Sequence, residues 1–481
     1  MQGENGLSAW QLVMMALGTV IGGSFFLGSA VAIKAAGPAI ILSFVLGGGL
    51  VYVILFALSE MTVADPAPGS FRTFAERMYG PGAGFIVGWV YWSGLVLAMS
   101  SEATAVSLFL RNWFPTISLP LIGSTIIIIV ALLNLLGADR LSKLESGLAA
   151  VKLLAIAGFI VFSLALIMGI ISGVPPVGIG ELNQEPFLSA GIGGIAGSML
   201  IVMFSYAGFE IIGLAASEAN DPQRTVPRAI TLTVVSLVGL YVAAVSALLP
   251  LIPTSVLSSE ISPLVAALDR WGLNWVGNIF NAILITAILS TMLASMFGLG
   301  RMIRSLSEEG HAPAWLKDDG DIPYRGILFS GGGMLAGLTL GLILPAQVYL
   351  FLVSAGGFSL LFSYVVILAT HYKYRNQHGC PPKGNCQLPG FPAVSWISMG
   401  AMAAIIFSMP LVPGQGAGLI AGLLLLVFFA GLYWLAKHAR SVKAQAGDIP
   451  LTETNVQFET SEEITPARVR SSSGQEDSKP K

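Results

Sequence analysis

The chain has 481 residues, of which only 10% are charged and 54% are hydrophobic, and its formal net charge is −2. So low a charged fraction over this length is typical of an integral membrane protein and not of a soluble globular one. The balanced charge gives no basic footprint for a nucleic-acid partner. The chain's 2 cysteines are too few for a disulfide framework.

Twelve apolar runs follow one another along the chain, each close to the ~20 residues that cross the hydrocarbon core of a bilayer. They lie at 11–35, 38–63, 83–110, 117–137, 146–172, 188–216, 229–252, 273–303, 326–344, 347–371, 393–412 and 415–437. The first run is too long for the apolar part of a cleavable signal, so we expect it to act as its own insertion signal. We therefore expect a short N-terminal segment (1–10), a twelve-helix domain (11–440) and a disordered polar tail (441–481).

The basic residues predict how these runs are oriented, because cytoplasmic loops carry the excess of Lys and Arg. A cytoplasmic N-terminus would put thirteen basic loop residues inside: Arg72, Arg77, Arg140, Lys143, Arg224, Arg228, Arg301, Arg304, Lys317, Arg325, Lys373, Arg375 and Lys383. It would leave only Lys34, Arg111 and Arg270 outside. We therefore expect a multi-pass protein of the cell membrane with both termini in the cytoplasm.

The first apolar run contains a glycine-rich stretch at 18–29, which reads GTVIGGSFFLGS. Each glycine inside a helix costs about 1 kcal/mol relative to alanine. Without a Cβ, glycine lets the backbone leave the helix and lets other groups approach closely. Non-helical backbone at membrane depth is tolerated only where it is buried in protein or lines a cavity. The stretch predicts either a broken helix that binds something or close helix packing through small residues.

The sixth run carries a second irregular stretch, 203–218, with Gly208, Gly213 and the carboxylate of Glu210 inside apolar sequence. Interrupted helices at corresponding places in two halves of a chain indicate an inverted-repeat secondary transporter. Because the first and sixth runs are five apart, runs one to five would mirror runs six to ten.

Several ordered stretches together carry a family resemblance. They are 16–29, 36–38, 60–71, 88–92 with 102–105, 204–218 with 221–222, and 301–313. From about Gly6 to Tyr374 the chain resembles the amino acid-polyamine-organocation (APC) superfamily, and most closely its bacterial amino acid transporter family of proton-coupled permeases. The resemblance implies an all-α integral membrane protein of the LeuT type, with helices 1 and 6 broken. Ten of its helices form two inverted five-helix repeats and two more follow.

An amino acid substrate brings a carboxylate and an ammonium group, and a broken helix offers unpaired N–H groups at one end and carbonyls at the other. The resemblance implies that Gly22, Gly23 and Ser24 bind the carboxylate. It also implies that the ammonium meets the carbonyls of Val20, Phe204 and Ala207.

This sequence departs from the family at the first break. The usual order is Gly, then Ser or Thr, then Gly, whereas here it is Gly22, Gly23, Ser24. Either the Ser24 hydroxyl takes over the contact or the backbone acts alone. Phe204 stands where related permeases place an aromatic lid over the substrate; the alternative is an ordinary packed core aromatic.

Lys152 lies within the fifth run, among Ala, Val and Leu. Charge in a bilayer is costly, about 2.5–3.5 kcal/mol on insertion scales. The resemblance implies a lysine here in proton-coupled members, where sodium-coupled relatives bind an ion. Because burial makes proton exchange at an ammonium possible, our hypothesis is that Lys152 carries the proton. The alternative is that the side chain snorkels to the interface.

Two carboxylates and three further residues complete the expected coupling region. Glu210 is expected either to handle protons and gating or to brace the break. Glu102, in the third run, could pair with Lys152 or define the charge of the pocket. Possible support comes from Gly18, Ser290 and Thr291, although the two hydroxyls could equally serve helix–helix hydrogen bonds.

The loop between runs ten and eleven holds the nitrogen and sulfur groups of His371, His378, Cys380 and Cys386. Their spacing fits no standard zinc pattern, so we expect no metal and two reduced thiols.

These expectations favour a proton-coupled importer of an amino acid, with a neutral substrate slightly preferred because Glu102 and Glu210 are the only acidic groups expected there. The alternatives are an amino acid exchanger and, from another class, a membrane-embedded amino acid sensor. An enzyme is not expected, because the spans contain no catalytic triad or metal ligands. The expected partners are the substrate and the lipid bilayer, with no nucleic acid, no obligatory protein partner and no cofactor besides the proton.

Overall fold

The structure is a computed structural model that describes residues 7–64, 69–171, 173–210, 212, 219, 221–318, 320, 322–343, 348–380 and 388–447. Over these residues the regular secondary structure is helical, apart from one isolated parallel bridge between Leu7 and Ala219, and loops connect the helices. The helices of the first part are α1 (Ala9–Val20), α2 (Gly23–Phe26), α3 (Gly28–Ala36), α4 (Ile40–Ala64), α5 (Phe71–Tyr79), α6 (Pro81–Arg111), α7 (Leu119–Asn134) and α8 (Ala138–Ile167). Those that follow are α9 (Gly191–Ser205), α10 (Pro222–Leu248), α11 (Pro263–Arg270), α12 (Asn274–Glu308), α13 (Tyr324–Ile343), α14 (Val348–His378), α15 (Ala393–Ser408) and α16 (Gly416–Gly447).

Eight helical segments of the described chain are long and apolar enough to cross a membrane. They are Gly28–Ala64, Pro81–Arg111, Gly147–Ile167, Pro222–Leu248, Asn274–Glu308, Val348–His378, Ala393–Leu411 and Gly416–His438. The shorter apolar helices α1, α7 and α9 coincide with three further predicted runs, and α13 coincides with the ninth. The all-helical membrane class is therefore confirmed, whereas the count of twelve spans and the inverted repeat stay predictions.

The helix ends follow from local sequence. Ser8 and Gln11 form a capping box at the start of α1, in which each side chain bonds the backbone N–H of the other. Pro81 occupies the first turn of α6, where its missing N–H leaves no bond unmade, and Gly80 before it has φ +94°. Gly137 (φ +91°) makes the sharp turn from α7 into α8.

Helices α6 and α14 are the most buried of the long apolar helices, and they pack along each other. Residues 1–433 form one compact unit, whose core contains these two helices. The second unit begins at Trp434, and its described part is helical up to Gly447. The predicted tail beyond Gly447 lies outside the described residues.

A buried guanidinium ties α5 to the end of α12. The Arg72 side chain is fully buried and pairs with the carboxylates of Glu76 (3.2 Å) and Glu309 (2.5 Å). It also donates to Ser305 Oγ at 3.0 Å. His311 Nε2 lies 3.0 Å from Oε2 of Glu76, so Glu76 has a second partner besides Arg72. We call this end of the bundle the α5 end.

The sequence-based expectation for the loop after α14 needs three corrections. Neither His371 nor His378 lies in that loop, because α14 includes both and ends at His378. His371 is buried inside α14, with Nε2 2.6 Å from Oε2 of Glu60 on α4. The other Glu60 oxygen accepts from the backbone N–H of Leu388 at 2.6 Å. Cys380 is disulfide-bonded, not reduced. His371 therefore serves as a partner for the buried Glu60 carboxylate and binds α14 to α4.

Removal of the Arg72 charge should loosen the α5 end. Arg72→Met leaves Glu309 without its guanidinium partner and Glu76 with His311 alone, and we expect a loss of about 1–3 kcal/mol in unfolding free energy, since both carboxylates are partly solvated. The thermal melting of the purified protein in detergent measures this. Arg224→Met is the matched control, because Arg224 is 82% exposed and its pair with Asp221 is long, at 3.7 Å. Equal melting temperatures for the two variants would contradict the prediction.

The same ion pair should depend on pH in a defined direction. Burial raises the pKa of the Glu309 carboxyl, but the hydrogen bond and charge of Arg72 lower it more, so the pKa lies below its ordinary 4.5. The contribution of Glu309 to stability is therefore present above pH 4.5 and is lost as the pH falls through the folded-state pKa. The difference between wild type and Arg72→Met should shrink in acid, as melting curves below pH 4.5 would show.

Candidate functional site

The first predicted break is present. Helix α1 ends at Val20, and the next two residues leave the helical conformation: Ile21 has ψ 104° and Gly22 has φ −142° and ψ −163°. Helix α2 then starts at Gly23, so the backbone amides of Gly23 and Ser24 have no carbonyl partner in a preceding helical turn. The break therefore exposes carbonyls on one side and amides on the other, inside the protein core.

The second predicted break follows α9. After Ser205 the chain forms a turn over residues 206–210, with Gly208 at φ +103°. The N–H of Ala207 donates to the carbonyl of Phe204 at 3.1 Å. Gly213 and most of the remaining part of the predicted sixth span lie outside the described residues.

The two breaks contact each other directly. The Thr19 hydroxyl of α1 lies 3.2 Å from the carbonyl oxygen of Gly208 and shares its one proton between that oxygen and the α1 carbonyls of Ala16 (3.0 Å) and Met15 (3.1 Å). A Cβ added at Gly208 would stand 3.1 Å from the carbonyl oxygen of Thr19. In addition, Ser205 Oγ lies 3.1 Å from the carbonyl oxygen of Ser24 and 2.8 Å from that of Ile201, which share its proton. The unwound backbone of the two spans thus forms one continuous polar region.

Lys152 of α8 points into the first break. Its side chain is fully buried, and Nζ donates to the carbonyl of Gly18 at 2.5 Å and to Thr291 Oγ1 at 2.7 Å. Thr291, on α12, in turn donates to the carbonyl of Ile21 at 2.9 Å. The ammonium therefore joins α1, α8 and α12 and does not snorkel to an interface. Ser290 precedes Thr291 on α12, and its buried hydroxyl has no hydrogen-bond partner among the described residues.

Glu102 of α6 occupies the other side of the same break. Its carboxylate is 3% exposed and accepts from both α2 amides, with Oε2 2.6 Å from Gly23 N and Oε1 3.1 Å from Ser24 N. These are two of the groups that the family resemblance assigns to the substrate carboxylate. A side-chain carboxylate of the protein itself is therefore bound where an external one is expected.

The Glu210 side chain stays within the second break and its neighbour helix. Oε2 accepts from the N–H of Gly208 at 2.7 Å, and Oε1 accepts from the Tyr364 hydroxyl of α14 at 3.0 Å. These contacts are the ones expected of a residue that braces the break. Phe204 is 4% exposed and lies beside Gly357 of α14, while Val20 is buried at the end of α1.

Sequence reasoning missed three side chains that hold the breaks. Thr19 bridges the two, the Tyr349 hydroxyl of α14 donates to the carbonyl of Gly23 at 3.3 Å, and the Tyr241 hydroxyl of α10 donates to that of Ser205 at 3.1 Å. The only sequence signal was a tyrosine or threonine inside an apolar run. Such residues are too common in membrane spans to be singled out.

These features define a class: a multi-pass membrane protein in which two broken helices meet around backbone groups and buried ionisable side chains. Comparison with known proteins gives the family. The amino acid permease family model matches residues 11–445. The uncharacterized amino acid permease YtnA of Bacillus subtilis is 32% identical over 450 residues, covering 92% of this chain and 97% of YtnA.

The aromatic amino acid transport protein AroP of Escherichia coli K12 is 30% identical over 448 residues, covering 92% of this chain and 97% of AroP. AroP of Salmonella typhimurium is 30% identical over 453 residues. The chain therefore belongs to the amino acid permease family of the APC superfamily. The family is one of amino acid permeases, and the AroP relatives are named as aromatic amino acid transport proteins.

The conformation of Gly208 should be essential to the contact between the breaks. At φ +103° an alanine is strained, and its Cβ would press on the Thr19 carbonyl. We expect Gly208→Ala to lower the unfolding free energy by about 1–3 kcal/mol, measured by melting in detergent.

Gly193→Ala is the matched control. Gly193 lies on the exposed first turn of α9, and a Cβ there would meet nothing within 4 Å. The substitution should be neutral or slightly stabilising, by up to about 1 kcal/mol, because alanine favours helix. A Gly208→Ala protein that melts like Gly193→Ala would show that the turn at 206–210 tolerates a side chain.

Proposed function

We propose that this protein imports an amino acid across the cell membrane together with a proton, by alternating access. In this proposal the chain forms twelve spans of the LeuT type, with the α5 end and both termini in the cytoplasm. Membership of the amino acid permease family supports the substrate class. The contact between two broken helices supports a central binding site, since such helices form the sites of this kind of transporter.

The observation that carries the coupling proposal is the position of Lys152. Its buried ammonium is held by the Gly18 carbonyl and the Thr291 hydroxyl, which are oxygen ligands of the kind that bind sodium at unwound helices. A fixed ammonium supplies the positive charge without a metal ion. A lysine can also lose its proton when its surroundings disfavour the charge. We therefore propose Lys152 as the proton carrier, with Gly18 and Thr291 in support.

The substrate would bind across the breaks. Its carboxylate would bind at Gly22, Gly23 and Ser24, where the start of α2 favours negative charge. Its ammonium would meet the carbonyls of Val20, Phe204 and Ala207, and the Phe204 ring would cover it. In this proposal Glu102 and Glu210 also take part in proton handling.

The contacts of the two buried carboxylates favour a neutral substrate. A cationic side chain would need an acidic partner, but Glu102 is bonded to backbone amides, and Glu210 is bonded to Gly208 and Tyr364. The names of the AroP relatives agree, because aromatic amino acids are uncharged in the side chain. We therefore place neutral and aromatic amino acids first in the panel to be tested.

Uptake of labelled amino acids into proteoliposomes tests the function. A symporter accumulates its substrate when the outside is more acidic and loses the accumulation when a protonophore is added. Uptake that ignores the gradient but requires amino acid inside would identify an exchanger and contradict proton symport. Binding without flux would identify a sensor.

Lys152→Met tests the coupling role directly. The variant keeps the length of the side chain but removes the ammonium, and we expect gradient-driven accumulation to fall by about 5–150-fold, the range of typical coupling energies. Lys34→Met is the matched control, because Lys34 is exposed at the end of α3 and should leave accumulation unchanged. A Lys152→Met protein that still concentrates substrate on a pH gradient would refute the assignment.

A further inference from the structure

The backbone amides at the start of α2 are bonded by a carboxylate of the protein itself. Both oxygens of Glu102 are used, one on Gly23 N at 2.6 Å and one on Ser24 N at 3.1 Å, and the carboxylate is almost completely buried. A carboxylate that bonds two adjacent amides reproduces the contact that the carboxylate of an amino acid would make there. We call the N–H groups of Gly23 and Ser24 the amide pair.

The sequence around the amide pair leaves room for this contact. A Cβ added at Gly23 would lie 2.6 Å from Glu102 Oε2, and one added at Gly22 would lie 3.3 Å from Oε1. Any side chain at position 23 would therefore displace the carboxylate. The order Gly22, Gly23, Ser24 puts the first side chain one residue after the point of closest approach. This order is the one that departs from the usual family pattern, so the departure and the close approach of Glu102 occur at the same position.

We propose that Glu102 is an internal competitor of the substrate: its carboxylate holds the amide pair in the empty transporter, and the carboxylate of the amino acid displaces it. The inference rests on the proposed function, since it concerns the same site. It makes Glu102 a residue that sets the affinity of the site and its dependence on protons, and not a partner for the substrate's ammonium.

The exchange has a defined proton balance. Two carboxylates cannot share the two N–H donors, because like charges at this distance in a buried site repel strongly. When the substrate carboxylate arrives, the bonds from Gly23 and Ser24 to Glu102 break and equivalent bonds to the substrate form. The displaced Glu102 takes a proton from solution onto one oxygen, since a neutral carboxyl group is far easier to keep buried than an unpaired charge.

The charged and titratable groups around Glu102 are compatible with this balance. Those of the described chain that face it are Lys152 of α8, Tyr241 of α10 and Tyr349 of α14. The tyrosines are neutral at working pH, and the Lys152 ammonium is held by Gly18 and Thr291. By linkage, substrate and proton must each strengthen the binding of the other by the same factor.

The test measures binding of labelled L-phenylalanine, L-leucine, L-alanine and L-lysine to the full-length protein in detergent between pH 5.5 and 8. For an amino acid that binds, the wild-type affinity should rise as the pH falls. Glu102→Gln keeps the shape of the side chain but removes the competing charge. It should bind the same amino acid about 5–150-fold more tightly at pH 8 and with little pH dependence.

Glu260→Gln is the matched control, because Glu260 is exposed and lies far along the chain in a loop, and it should behave as wild type. The direction of the change in substrate affinity distinguishes a competitor of the substrate from a ligand of the substrate. A folded Glu102→Gln protein that binds more weakly would make Glu102 a ligand of the substrate and overturn the inference. Unchanged affinity with unchanged pH dependence would also overturn it.

A second measurement covers the case in which Glu102→Gln does not fold. Calorimetric titrations of Lys152→Met in two buffers of different ionisation heat count the protons taken up with substrate. Lys152 already holds its proton as an ammonium in the described state, so it does not supply the uptake that accompanies substrate binding. Uptake that persists in a Lys152→Met protein that still binds the amino acid supports Glu102 as the acceptor, and binding without uptake overturns the inference. A wild-type protein that neither binds nor transports any amino acid would remove the proposed function itself, which is a different result from binding that changes in the wrong direction.

Discussion

The constraint on which this structure depends is the hydrogen bonding of backbone at membrane depth. A bilayer core offers no water, so each unpaired N–H or carbonyl costs several kcal/mol, and a broken helix frees several of them. In the first break the amides of Gly23 and Ser24 are satisfied from α6, the carbonyl of Gly18 from α8 and the carbonyl of Ile21 from α12. Breaking one helix thus fixes the position of three others around it.

The two central helices connect this break to the second one. Helix α6 carries the carboxylate that bonds the α2 amides, while α14 carries Tyr349 to the first break and Tyr364 to Glu210 in the second. Thr19 then bonds the two breaks to each other. A motion that opens the site must therefore either carry α6 and α14 along with the broken helices or exchange these side-chain bonds for bonds to substrate. In the proposed alternating-access cycle, the question is which of these bonds are exchanged.

The sequence predicted where the breaks lie, because glycine clusters inside apolar runs let the backbone leave the helix. It also predicted a special role for Lys152, because a lone charge among aliphatic residues in a membrane span is costly. It could not predict the partners. The contact of Glu102 with two amides depends on the register of α6 against α2, which no local pattern records. His371 was assigned to a loop because the apolar run ends there, but α14 continues as a helix to His378, and a buried Glu60 supplies the reason for a buried histidine.

In the proposed alternating-access cycle the carrier must also change its orientation when it is empty, and this step would give a physical reason for an acidic residue at position 102. In an empty protein that lacked Glu102, the amide pair would be buried and unpaired. Two orphan N–H donors would then disfavour the closed empty state. A serine or asparagine could satisfy one of them but would not match the bidentate contact of a carboxylate. In the proposed exchange, the same two bonds would exist in the empty and the loaded protein, formed first to the Glu102 carboxylate and then to the substrate's. The proposed difference between the two states would then be one proton, which a proton gradient across the membrane would supply.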